Sequence, residues 1–60
     1  MTIKQARKIA ARLDDVQWQT ATLRAALYRL ETEAGPDGVA SPADRERADK
    51  IAARLDEIGA

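Results

Sequence analysis

Ala6-Arg7-Lys8-Ile9-Ala10-Ala11-Arg12-Leu13-Asp14-Asp15-Val16 returns near the other end of the chain as Ala48-Asp49-Lys50-Ile51-Ala52-Ala53-Arg54-Leu55-Asp56-Glu57-Ile58. Only Arg7/Asp49 differs in kind between the two copies. In each copy the apolar residues recur at spacings of three and four, the period of one face of an α-helix. The offset between the copies is a whole number of heptads, so both carry the same face. That pattern predicts an all-α protein, and the two copies either fill equivalent places around one helical bundle, the favoured reading, or are similar words on which Ala-rich amphipathic helices converge.

Extended outward from the first copy, the same spacing runs through Ala6, Ile9, Leu13, Val16, Thr20, Leu23, Leu27, Leu30 and Ala34. This is a coiled-coil type of seam, with Ile9, Val16, Leu23 and Leu30 at d and Leu13 and Leu27 at a. No Gly or Pro interrupts it, so the pattern predicts one long helix over about 2–34, roughly 50 Å in length, with Thr2 as its N-cap. Thr20 is the polar residue of the seam. It can specify register there, or, the preferred reading, its hydroxyl bonds back to a carbonyl one turn earlier.

Gly35-Pro36-Asp37-Gly38 supplies the stop and the turn. Ser41-Pro42-Ala43-Asp44 then reads as a fresh helix start, with a capping serine, proline at the first helical position and a carboxylate in the first turn. A short second helix over about 42–58 follows, carrying Ile51, Leu55 and Ile58 on the repeated seam and ending at Gly59. The expected fold is a helix–loop–helix hairpin, a single domain over 1–60.

A chain of 60 residues buries only about 60% of its unfolded surface and is marginal alone. With neither Cys nor His, disulfides and the usual zinc sets are excluded, and association is the remaining source of stability. The short helix would cover only the C-terminal half of the long one. Ile3, Ile9, Leu13 and Val16 would stay wet, although burying each is worth about 1.5–3 kcal/mol. An antiparallel homodimer resolves this, because each N-terminal half lies on the partner's C-terminal half. It also sets the basic cluster Lys4, Arg7, Lys8 and Arg12 against the acidic Glu31 and Glu33, where a parallel pair would stack like charges.

The chemistry that the residues allow is limited. Lacking His and Cys, the chain has no usual general base or thiol nucleophile. Asp14-Asp15 and Asp56-Glu57 are sequence neighbours that diverge by about 100° on a helix, so they do not form an acid–base pair. The expectation is a non-enzyme without cofactor or metal. The formal net charge is zero, which gives no global attraction to nucleic acid. No apolar run reaches the roughly 20 residues of a membrane helix, and the opening Met-Thr-Ile-Lys-Gln lacks a signal-peptide core; a cytoplasmic location with no membrane partner is expected.

Trp18 and Tyr28 fall off the seam, on a second stripe with Ala11, Ala21 and Ala25. That stripe is either where further helices dock or, since Trp and Tyr are favoured anchors, where a protein partner binds. The leading expectation is therefore a small homo-oligomeric interaction module for a protein partner. The alternative is a dimeric nucleic-acid-binding regulator using Lys4, Arg7, Lys8 and Arg12 on phosphates. The layout resembles that of the small Rop-type plasmid RNA-binding proteins, helical hairpins that dimerise into four-helix bundles. The resemblance is architectural, with helices of unequal length here, and it implies a dimeric bundle without assigning any residue a role.

Overall fold

The computed structural model describes residues 1–33 and 41–59. They form three helices and, among the described residues, no strand: α1 (Ile3–Ala11), α2 (Thr20–Thr32) and α3 (Pro42–Glu57). α2 packs against α3, and α1 packs against both. The expected turn at Gly35-Pro36-Asp37-Gly38, and Ala34 of the seam, lie outside the described residues.

Two of the three helix starts follow from local chemistry. At α1, the Gln5 backbone N–H donates to Thr2 Oγ1 (3.2 Å) and the Thr2 N–H donates to Gln5 Oε1 (2.8 Å). This reciprocal capping box satisfies two otherwise orphaned donors. At α3, the Asp44 N–H donates to Ser41 Oγ (3.2 Å), with Pro42 at the first helical position. α3 ends as expected: Gly59 has φ +75°, the left-handed conformation in which Gly carries no Cβ penalty, and its N–H donates to the Asp56 carbonyl (3.1 Å).

The single long helix expected over about 2–34 is two helices, and the two-helix hairpin layout is replaced by three helices. The chain leaves the helix after Ala11 and re-enters it at Thr20. The reason is tertiary. A straight helix would carry Ile9 and Leu13 beyond the reach of α3, whereas the bend packs both into the chain's own core. Asp14, Asp15 and Val16 are weak helix formers, so the local cost of leaving the helix is small. Thr20 becomes the first residue of α2, with no helical turn before it, and the expected back-bond of its hydroxyl has no acceptor one turn earlier.

The core draws on all three helices: Ala6, Ile9, Ala10 and Leu13 from α1 and its exit, Leu23, Ala26 and Leu30 from α2, and Ala48, Ile51 and Leu55 from α3. Ala6 and Ala26 are fully buried, where small side chains let helix backbones approach closely. Of the residues assigned to an oligomer seam, Ile9, Leu13, Leu23, Leu30, Ile51 and Leu55 are thus buried within one chain, and Leu27 is half-buried. Val16 and Ile58 are exposed, at 37% and 47%. At the seam positions the two repeat copies behave alike: Ala6/Ala48, Ile9/Ile51 and Leu13/Leu55 are buried, and Val16/Ile58 are not; off the seam they differ, with Ala10 buried and Ala52 exposed.

Candidate interaction surface

Trp18 lies in the link between α1 and α2. Its ring packs against the core while remaining partly exposed. The indole Nε1–H donates to the Arg12 carbonyl (3.1 Å), one of the carbonyls that the end of α1 leaves without an intrahelical partner. The bond fixes the ring over the C-terminal end of α1 and satisfies the polar atom that a buried Trp must place.

Two shallow grooves share this ring. One, about 280 Å³, is lined by Met1, Gln5, Lys8, Ile9, Arg12 and Trp18. The other, about 260 Å³, is lined by Gln17, Trp18, Gln19, Leu23, Arg54 and Ile58. Met1 and Ile58 are large apolar side chains left exposed, at 41% and 47%. The polar residues lining both grooves are neutral or cationic, and none is a carboxylate. Arg54 shares its charge with Glu57, one turn on (3.1 Å); Lys8 and Arg12 are exposed.

Tyr28 is 62% exposed on α2 and lines neither groove. The stripe expected to join it to Trp18 presumed one straight helix. With the break at 12–19 the two aromatics belong to different elements, and only Trp18 has an apolar surround.

The basic cluster divides as well. Lys4, Lys8 and Arg12 are exposed. Arg7 is committed elsewhere: its Nε donates to Asp44 Oδ1 (3.0 Å) and its Nη2 to Oδ2 (2.9 Å), the bidentate arrangement of a strong charge-assisted pair. Arg47 Nη1 adds a third bond to Oδ1 (2.8 Å). The Asp44 side chain is only 1% exposed. Hydrogen bonding by Arg7 holds its pKa down at about 2 against the opposing pull of burial, with Arg47 and Ser41 adding to the lowering. Arg7 is therefore a structural tie between α1 and α3. Sequence reasoning took Asp44 for a simple first-turn charge and missed this tie.

No group of His, Cys, Asp or Glu among the described residues is arranged to hold a metal ion. None of the described helices is long and apolar enough to cross a membrane. No protein-family model matches the chain, and comparison with curated proteins and with solved structures finds no match either.

Proposed function

We propose that the chain is a non-enzymatic protein–protein interaction module whose Trp18 surface docks an apolar, acid-flanked segment of a partner protein in the cytoplasm. The observation that carries this reading is the pair of grooves meeting at one anchored Trp, the groove at Met1 and Ile9 mainly apolar and the other mixed, with no carboxylate among their lining residues. Trp held in place by its own hydrogen bond loses little entropy on contact, which suits an anchor. Lys8 and Arg12 at the rim favour a partner that brings negative charge, a preference that sets specificity and encounter rate more than affinity. The grooves are open and shallow, a form that fits side chains of a docking helix better than it encloses a small substrate.

Trp18 is the only Trp in the chain, so its fluorescence reports directly on the surface. Titration with a synthetic amphipathic helix of Leu and Glu should give a saturable change in emission. A charge-inverted Leu/Lys peptide should give none, and Lys8→Glu with Arg12→Glu should abolish the response to the acidic peptide. An equal response to both peptides, or none to either, would remove the reading. Self-association, the other partner expected from the sequence, needs a separate route, because the closed chain already covers Ile9 and Leu13 itself.

A further inference from the structure

We propose that this chain has a second, open state in which residues 12–19 become helical, α1 and α2 merge into one helix, and two copies exchange their α1 segments. The first observation is that nearly the same sequence takes two conformations in the same molecule. Ala53-Arg54-Leu55-Asp56-Glu57 is helical throughout within α3, while its counterpart Ala11-Arg12-Leu13-Asp14-Asp15 leaves the helix after its first residue. Residues 12–15 are therefore helix-competent in sequence, and their exit from the helix is imposed by packing; Ile58, the counterpart of Val16, lies just past the end of α3.

The second observation is that no cap, Gly or Pro marks the break. Thr2 and Ser41 cap α1 and α3 with side-chain hydrogen bonds, but Gln19, at the N-cap of α2, makes none. No Gly or Pro lies between Thr2 and Ala34. Merging the helices would give the uncapped N–H groups at the start of α2 intrahelical acceptors. The third observation is the seam itself. Its three–four spacing continues across the break through Val16 and Thr20, yet Val16 is exposed in the closed form. A chain built only for the closed form has no need of that phase.

What holds the closed state locally is slight. The Trp18 indole N–H on the Arg12 carbonyl and the Asp15 N–H on the same oxygen (3.3 Å) bridge the link. Gln19, at φ −69° and ψ 146°, departs from helical geometry by ψ alone. A merged helix over 3–32 would be about 45 Å long, against 32 Å for the longest dimension of the closed molecule. α1 would then project beyond its own α2 and α3, uncovering Ala6, Ile9 and Leu13. The surface that fits them is the vacated α2–α3 face of a second copy, since every contact it offers is one that α1 makes in the closed chain. Arg7 of each copy would pair with Asp44 of the other. Opening breaks the Trp18–Arg12 bond and takes apart the grooves at Trp18, so exchange would compete with docking there.

Thr20→Pro separates the two states. Proline suits the first helical position of α2, and Gln19 already has the extended ψ that a residue before proline prefers. In the merged helix the same proline lies mid-helix and lowers association about 100-fold per chain, ~10⁴-fold per dimer. Wild type and Thr20→Pro would be refolded from denaturant at micromolar and millimolar concentrations, then compared by sedimentation equilibrium and far-UV circular dichroism. We expect wild type to form a dimer with raised helical signal at high concentration, and Thr20→Pro to stay monomeric. Arg7→Asp and Asp44→Arg chains, each carrying a like-charge clash alone, should form a heterodimer when refolded together, because only exchange restores both pairs. The proposal is overturned if wild type stays monomeric, if Thr20→Pro dimerises equally, or if the two charge variants fail to rescue each other; the last arm stands even if Thr20→Pro does not fold.

Discussion

Asp44 shows how one residue can tie a small bundle together. A carboxylate at 1% exposure would be prohibitive if unpaired, but it accepts from both Arg7 and Arg47. Its pKa is about 2 folded against an ordinary value of 3.8. A folded value below the unfolded one means that the unfolded chain binds more protons in between. The stabilisation is complete above about pH 3.8 and is lost as pH falls through 2, on the order of 2 kcal/mol in all. Urea melts on either side of that window should show the loss in wild type and a much smaller one in Asp44→Asn. At neutral pH, Asp44→Asn should cost about 1–3 kcal/mol, the usual result of removing one partner of a buried charge-assisted set. The sequence holds a signal for Asp44 that the first-turn reading passed over: stepping back along the seam from Leu55 and Ile51 through Ala48 by threes and fours lands on position 44. A carboxylate on the seam face calls for an Arg. Which Arg answers it depends on the three-helix packing, and no spacing rule names Arg7.

At the scale of the element, the helices that carry start signals are where the sequence places them, and the unmarked break is not. Thr2, Ser41-Pro42 and Gly59 are backbone chemistry, readable without tertiary information. The break at 12–19 has no such signature, because it arises from burying Ile9 and Leu13 against α2 and α3. The Trp18 surface was half legible for the same reason. Trp18 stands out as an anchor by residue type, but its neighbours Met1, Ile9 and Ile58 meet it only once the chain bends. Supplying the missing signal should therefore stabilise the closed form. Gln19→Asp adds both a capping acceptor and a negative charge at the N-terminus of α2, worth about 0.5–2 kcal/mol. At this size that raises the melting midpoint by roughly 4–8 °C per kcal/mol. Ser41→Ala, removing a cap that is present, should lower it by a similar amount. If Gln19→Asp leaves the midpoint unchanged in a thermal melt, the start of α2 is not the weak point described here.

For the whole molecule, the seam distinguishes residues by where the single chain closes rather than by residue type. Leu30 and Ile51 are fully buried, whereas Val16 and Ile58 occupy equivalent seam positions and are exposed. A domain this small has only a few kcal/mol of net stability, of order 0.1 kcal/mol per residue. Leu30→Ala removes apolar contacts and leaves a cavity, at a cost of about 2–5 kcal/mol, enough to unfold much of the population at room temperature. Ile58→Ala and Val16→Ala delete side chains that are only partly covered and should each cost on the order of 1 kcal/mol in dilute solution. The same pair becomes informative at high concentration. In an exchanged dimer the continuous helix returns Val16 to a seam, so Val16→Ala should weaken association while leaving the monomer folded, and Ile58→Ala, which lies outside the merged helix, should weaken it less. Chemical denaturation of the dilute variants measures the first effect and sedimentation the second. Equal costs for Leu30→Ala and Val16→Ala in dilute solution would mean that Val16 is already buried, and that the long seam is closed by something other than the bend at 12–19.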